Sequence, residues 1–435
     1  MIKKRFTMRY FTALLYASSL FGAQSIFASG FQLWEQDGAS VGNYHAGYAA
    51  EANDASTAFY NPAGITRFKN QQVVMSGMAV FTNIKYKGTV AVNNVLNNAP
   101  QNATAQGGGF ALVPNLNYVA PINDKLGFGF SITVPFAAQV NYGRDTFLRY
   151  ASTLSSVKVI DMSPSLGMKL TDKTSVGFGI DLQRMEVEFD QIAGLGPTTN
   201  DTDSTNRAND TGWGAHFGGL YEFTPDSRVG FSYHSQVVHH LSRKSSLSGP
   251  LAGTSNIVSR ATANITLPPY TALSLFQRIN PKVAVMGSVI YTQWTNVRDI
   301  LMKNISAVDA AGLPETIDVD IPEHFKNTWN VSIGADYSIT DQFTLKSGIG
   351  YDQTPVQNAY RTVQLPDNDR YVVALGGHYQ ASKTVGVDLG WSHFFMNKAH
   401  IAPPTQVTGS QRTTTSGSVT GQADVYSAQL TWDIL

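Results

Sequence analysis

The 435-residue chain contains no cysteine, which excludes a disulfide framework, thiolate metal ligation and cysteine chemistry. It is also poor in charge: 31 basic and 31 acidic side chains make up 14% of its residues, against about 25% in an ordinary soluble domain. With the signs balanced there is no basic excess to neutralise phosphates, so nucleic acid is not an expected partner. Beyond residue 28 no apolar run approaches the ~18 residues that a membrane-spanning helix needs, which excludes a helical membrane bundle. What remains has 38 glycines, 11% aromatics and a mean hydropathy of -0.13. The chain is apolar without being continuously so.

Residues 1–28 have the layout of a secretory signal peptide. Lys3, Lys4, Arg5 and Arg9 form a positive start, Tyr10 to Phe21 an apolar core, and Ala28 and Ser29 a small-residue cleavage point. A single N-terminal anchor is the alternative, but the apolar core is short for one. Cleavage after Ala28 leaves 27 basic against 31 acidic residues, a net charge near -4.

Along the rest of the chain, apolar residues recur every second position. Trp329, Val331, Ile333, Ala335, Tyr337 and Ile339 alternate with Asn330, Ser332, Gly334, Asp336 and Ser338. Val385, Val387, Leu389 and Trp391 do the same, as do Tyr426, Ala428, Leu430, Trp432 and Ile434. Such segments run longer than the ~5 to 6 residues of an ordinary strand and match the ~9 to 11 residues that cross a bilayer at a tilt.

Fourteen segments fit: 72–87, 108–121, 125–141, 157–170, 173–190, 211–224, 227–240, 260–278, 281–297, 325–339, 342–352, 369–381, 383–397 and 421–434. Tight polar turns such as Asn123-Asp124, Asn280-Pro281 and Thr340-Asp341 alternate with long loops near 88–107, 142–156, 191–210, 241–259, 298–324, 353–368 and 398–420. Short turns on one side and long loops on the other predict an all-β, 14-stranded antiparallel outer-membrane barrel, whose backbone bonds close on themselves because lipid offers none. Tyr118, Tyr221, Tyr291, Trp294, Trp329, Tyr337, Tyr379, Trp391 and Trp432 are assigned to its interfacial girdles. A soluble propeller would show shorter strands and a repeat near 40 residues, and no internal repeat is found. Residues 29–70, rich in Ala, Gly, Ser and Asn, lack the alternation. Because fourteen strands enclose more space than inward side chains fill, this segment is expected inside as a plug or hatch, with 71–435 as the barrel.

Several separated motifs, in order, carry a family resemblance. They are Ser29-Gly-Phe-Gln-Leu, Asn61-Pro62-Ala63, Val113-Pro114-Asn115 with Tyr118-Val119-Ala120-Pro121-Ile122-Asn123-Asp124, and Leu365-Pro366-Asp367-Asn368-Asp369-Arg370. Across its mature length the chain resembles the FadL family of outer-membrane transporters, which take up long-chain fatty acids or, in some relatives, aromatic hydrocarbons. The resemblance implies an N-terminal hatch and a kink in the third strand through which ligand leaves sideways into the membrane. Here Pro135 interrupts that strand, and Val134, Pro135, Phe136 and Ala137 are the expected lateral opening, with Phe128, Phe130, Ile132, Val134 and Phe136 read as outward. A simple bulge is the other reading of the proline. The resemblance also implies that Phe31 reaches a luminal apolar pocket and that Asn61-Pro62-Ala63 holds the hatch near the kink.

A carboxylate ligand needs a cation or several donors. The family's basic partner late in the fifth strand aligns with Gln191, so this chain departs from the pattern there. Lys346, which the alternation of the eleventh strand turns inward, His378 and Arg184 are the substitutes, although the phase of the fifth strand is ambiguous near 184–186. Pairing with Asp336 or Asp388 is the structural alternative for Lys346. The ligand expected is a long-chain fatty acid or another hydrophobic small molecule, including an aromatic or alkane hydrocarbon, beside outer-membrane lipid. A monomer without cofactor, metal or catalysis is expected.

Two enzyme-like signals are weak. Gly38-Ala39-Ser40-Val41-Gly42 matches G-x-S-x-G but lacks the strand before and the helix after that a nucleophile elbow requires. His234 and His240, placed on one face of the seventh strand beside His239 with no carboxylate close in sequence, read as surface histidines.

Overall fold

A computed structural model describes residues 30–93, 99–194, 201–309 and 311–434. The expected signal peptide lies outside the described residues. Twenty-one strands form one closed antiparallel sheet, amounting to fourteen passes. β1 (Gln71–Asn93) has the short β2 (Gln101–Gln106) along its upper end, and β3 (Phe110–Pro121) follows. β4 (Leu126–Asn141), β5 (Leu154–Lys169), β6 (Thr174–Ala193) and β7 (Thr202–Thr224) are single strands. The next four passes are each broken in two: β8 (Ser227–His234) and β9 (Val237–Ser248), β10 (Ile257–Leu267) and β11 (Tyr270–Asn280), β12 (Val283–Thr292) and β13 (Asp299–Val308), β14 (Pro314–Pro322) and β15 (Thr328–Ser338). Then come β16 (Phe343–Asp352), β17 (Arg370–Gln380), β18 (Val385–Met396), β19 (Ala399–Ile401), β20 (Gln406–Thr408) and β21 (Gln411–Ile434). β21 pairs with β1 from Ile434↔Gln71 to Arg412↔Asn93, which closes the cylinder.

The alternation does what lipid requires. Leu273, Leu275, Ile333, Ile349, Leu375 and Leu389 are exposed on the outer face, whereas Ala272, Ser274, Ser332, Ala374 and Asp388 are buried within. Trp213, Trp329, Tyr371 and Tyr426 stand outside as well. Trp294 does not belong to the girdle assigned from sequence. It sits in a short 3-10 helix, Trp294–Asn296, between β12 and β13, and its side chain is fully buried. The short turns are closed by their own polar side chains: Asn123 Oδ1 accepts from the amides of Lys125 and Leu126, and Asn280 Oδ1 from those of Lys282 and Val283.

Much of what sequence assigned to long loops is strand. β7 starts at Thr202, β21 at Gln411, and β13 and β14 fill most of 298–324. Above the lipid an outer face meets water and needs no apolar partner, so stretches such as Arg412 to Ser416, with Thr on both faces, carry no alternation to detect.

Residues 30–67 run through the lumen and touch the wall on several sides. The segment is a chain of turns with short helices at Ser40–Asn43, Thr57–Tyr60 and Pro62–Arg67, and it approaches inward-facing glycines too closely for side chains. A Cβ on Gly348 would lie 2.1 Å from the Asn43 carbonyl oxygen, and one on Gly376 2.7 Å from the Gly42 Cα.

Candidate functional site

The wall parts at β4. β3 and β4 pair only from Pro121↔Gly127 to Leu116↔Ile132, and beyond that β4 is laddered on one side, to β5. The β4–β5 register shifts between Thr133 and Phe136, so Val134 and Pro135 together span a single partner position. This is a bulge, and one extra residue exchanges the two faces of everything above it. Phe136, read from sequence as outward, is therefore turned into the barrel with its partner Val159, and is 2% exposed. The strands rejoin at the top, where the Asn141 amide donates to the Gly107 carbonyl at 3.0 Å.

The N-terminal segment occupies the free edge. Leu33 N donates to Pro135 O at 2.8 Å, Ala137 N to Phe31 O at 2.8 Å, and Gln32 faces Phe136 in an antiparallel bridge. The Gln36 side chain caps the arrangement, accepting from Val134 N at 3.0 Å and donating to Val134 O at 3.2 Å. The backbone groups that β3 leaves unmet are thus met by residues 31–36, as buried main-chain polar groups must be.

Above this contact lies an apolar lumen. Phe31 packs against Phe136 and Trp294, with ring centroids 5.9 and 4.9 Å away, and Trp294 against Phe325 at 5.6 Å. Val187, Leu241, Ile265, Ile300 and Val356 continue the cluster. Gln191 is higher still, donating to Thr408 Oγ1 at 3.3 Å beside a cavity of about 30 Å³ shared with Phe189, Asn206, Met302, Ile305 and Gln364. No basic side chain is among the residues lining that cavity.

The other sequence candidates are elsewhere. Asn61 donates to Ala49 O at 2.6 Å and to Gly219 O at 3.0 Å, and accepts from Ala63 N at 3.1 Å as the cap of the Pro62–Arg67 helix. Pro62 rests on Gly167 and Gly177 of β5 and β6. The triplet thus pins the segment to the lower wall of β5–β7, while the kink is held by Phe31 to Gln36. Lys346 and His378 meet at the short-turn end, Lys346 Nζ 3.6 Å and His378 Nδ1 3.1 Å from Asp388 Oδ1, around a vestibule of about 390 Å³ with Asp336, Arg278 and Asp433. Arg184 faces out. β6 keeps one phase, with Phe178, Ile180 and Leu182 exposed in line with it, and Arg184 lies 3.6 Å from Glu186 just past the last apolar residue of that face. It is no luminal contact.

The histidines of the seventh pass also depart from the sequence reading. The break at Ser235–Gln236 exchanges the faces, so His234 and His239 are buried and only His240 is exposed. Their carboxylates come from neighbouring strands. His216 Nδ1 lies 2.6 Å from Asp181 Oδ1, His234 Nδ1 lies 3.8 Å from its Oδ2, and His239 Nδ1 lies 3.6 Å from Asp210. Asp181, His216 and His234 have a composition that suits a metal, but the rings of the two histidines are stacked at 14° and 4.8 Å. Parallel rings aim their in-plane lone pairs side by side rather than at one centre, and the 2.6 Å contact leaves no room for an ion between its partners. The trio is a buried hydrogen-bonded clamp, with His216 Nε2 3.3 Å from the Ala58 carbonyl of the N-terminal segment. In that segment burial, then the nearby Asp54 charge, push the Asp37 carboxyl up to about 6, against the amide of Ser40 that donates to it at 2.7 Å.

Sequence reasoning missed Trp294, Gln32 and Gln36. The first had a signal, a tryptophan at the edge of a segment whose alternation fails; the other two had none, because their partners are a hundred residues away.

Known proteins are similar to this chain in sequence or in fold. "Outer membrane protein P1" of Haemophilus influenzae is 26% identical over 89% of this chain and 91% of its own length. The "long-chain fatty acid transport protein" of Escherichia coli K12 is 26% identical over 88% and 91%. Among solved structures, a Pseudomonas aeruginosa FadL homologue superposes with a TM-score of 0.82 at 24% identity, covering 93% of this chain and 99% of its own. The Pseudomonas putida toluene transporter TodX gives 0.71 at 18%, covering 92% and 99%. The family model for outer membrane protein transport proteins (OMPP1/FadL/TodX) matches residues 19–433. A closed 14-strand barrel, a lipid-facing belt and that match over nearly the whole chain establish that this is an outer-membrane protein of the OMPP1/FadL/TodX family, a transporter of hydrophobic substrates.

Proposed function

We propose that the barrel takes up long-chain fatty acids passively and releases them sideways between β3 and β4, with residues 29–70 as its hatch and 71–435 as its barrel. The observation that carries this is the parting of the ladder above Leu116↔Ile132, with an edge held, among the described residues, by Phe31 to Gln36 until Asn141 meets Gly107, and facing the apolar cluster of Phe31, Phe136 and Trp294. A wall gap suits an acyl chain, since each methylene costs ~0.8 kcal/mol to leave in water and a route to the aqueous periplasm would add that cost along the whole tail. The name of the E. coli relative points the same way. The protein acts as a monomeric channel for one ligand and performs no catalysis.

One observation favours a second reading, uptake of aromatic hydrocarbons: among the described residues the upper cavity beside Gln191 is lined by no cation to meet a carboxylate, and TodX is named for toluene. Cells expressing the barrel should accumulate labelled oleate faster than cells without it, with an uncoupler leaving the initial rate unchanged. Equal oleate uptake alongside enhanced toluene uptake would overturn the fatty-acid reading in favour of the hydrocarbon one.

A further inference from the structure

At the point where β3 and β4 part, the inner wall turns polar without being satisfied. Asn115 and Asn117 of β3 and Ser131 and Thr133 of β4 face inward and are at most 5% exposed. Asn117 is paired with Ser131 across the ladder, and Asn115 and Thr133 take the next inward positions, directly beyond the last pair Leu116↔Ile132. Among the described residues, neither side-chain atom of the Asn115 amide, nor Asn117 Oδ1, nor the hydroxyls of Ser131 and Thr133 has a hydrogen-bond partner. The polar strip continues round the wall, Thr133 facing Asp161 and Asp161 accepting from Gln183 Nε2 at 2.8 Å. Above the parting point the same two strands bury Val113, Val134, Phe136 and Ala137 instead.

Buried polar atoms without partners are uncommon in native proteins because they lose their water and gain nothing in return. Asn117 Nδ2 donates to the Gln36 carbonyl at 3.4 Å, but Asn117 Oδ1 and the polar side-chain atoms of Asn115, Ser131 and Thr133, on two adjacent strands at the foot of a gap, make no hydrogen bond among the described residues. Together they offer amide and hydroxyl donors and acceptors, the set that a carboxyl or hydroxyl group can satisfy and a hydrocarbon cannot.

We propose that Asn115, Asn117, Ser131 and Thr133 form a rail for the polar end of an amphiphilic ligand, holding its carboxyl while the tail passes through the apolar gap above. The proposal rests on the sideways-release reading and narrows its substrate class to chains with a polar end. Leaving through lipid, such a ligand has to shed water from its headgroup, and the rail supplies hydrogen bonds at that step. A bare hydrocarbon has no headgroup and gains nothing from it.

The test is the double variant Asn115→Leu, Thr133→Val, compared with the wild-type protein for uptake of labelled oleate and labelled toluene by expressing cells, and for oleate retention by the purified barrel. The double variant is expected to slow oleate uptake about tenfold or more, the factor that follows from leaving a carboxyl without its hydrogen bonds. Toluene uptake and oleate retention should stay at the wild-type level, and the conservative Thr133→Ser change should preserve most of the oleate rate. If the double variant does not give a heat-modifiable folded band, the single changes Thr133→Val and Ser131→Ala carry the same comparison. Wild-type oleate uptake by a folded double variant, or equal losses for oleate and toluene, overturns the rail. Failure of the wild-type protein itself to take up oleate overturns the fatty-acid reading instead, and the rail with it.

Discussion

If residues 31–36 close the gap, fixing them there should stop transport. Gln32 and Phe136 face each other as a bridge whose flanking residues, not they themselves, exchange the hydrogen bonds. In that arrangement opposed Cα atoms lie about 4.5 Å apart with side chains close, within the ~4.4 to 6.8 Å that a disulfide spans. The chain has no cysteine of its own, so Gln32→Cys with Phe136→Cys gives one possible bridge. Two backbone bonds and two from Gln36 hold the contact. At about 0.5 to 1.5 kcal/mol net for each bond, release costs about 2 to 6 kcal/mol, an open population between roughly one in thirty and one in twenty-five thousand. The crosslink removes that population, and oleate uptake should fall to the level of cells without the barrel and return on adding a reductant. Each single cysteine variant controls for the loss of the Phe136 ring. Undiminished uptake through a barrel whose crosslink is confirmed by mass spectrometry would refute sideways release at β4 and send the ligand past residues 30–67 to the periplasm.

Deleting Pro135 removes the bulge, leaving Val134 alone opposite Ile160 while Phe136 keeps its partner Val159 and its inward face, and lets β4 zip onto β3; transport should be lost with the heat-modifiable band intact, whereas Pro135→Ala should be mild because the flanking ladder and residues 31–36 hold the path. Gly348→Val places a side chain where the Asn43 carbonyl sits, so residues 30–67 should become protease-sensitive while the barrel persists. Protonation of Asp37 should bind the same segment more tightly: its docked pKa, about 6, is raised above 3.8, so the preference for docking is full below pH 3.8 and is lost as pH rises through 6. Hydrogen exchange of residues 30–67, corrected for intrinsic rates, should be slower at pH 5 than at pH 8, and the reverse order would contradict the sign.

Strand number and membrane-facing phase were legible in the sequence because lipid imposes them residue by residue: Ile333, Leu389 and Leu430 announce their face without reference to any partner. Whatever depends on a count of residues between distant strands was not. Phe136 changes face through one extra residue opposite β5, and His239 and His240 exchange faces through a two-residue break, events that alter no composition. Asp181, which makes His216 and His234 a cluster, lies 35 positions from the first of them. Pro135 marked the kink, but Gln36, which satisfies Val134 on both sides, is a glutamine like any other until the fold brings it 98 residues along the chain.

The four broken passes have a consequence for how such a protein diversifies. Their interruptions, at 235–236, 268–269, 293–298 and 323–327, form a seam round one side of the barrel, and in three of them the inward parity changes across it. A residue inserted into an unbroken strand shifts every later side chain to the wrong face. At the seam it is absorbed, because β8, β11, β12 and β15 keep their own register below whatever β9, β10, β13 and β14 do above. The mouth that meets the ligand first is therefore free to vary in length and lining while the part embedded in lipid stays in phase, so recognition and anchorage can change independently within one continuous wall.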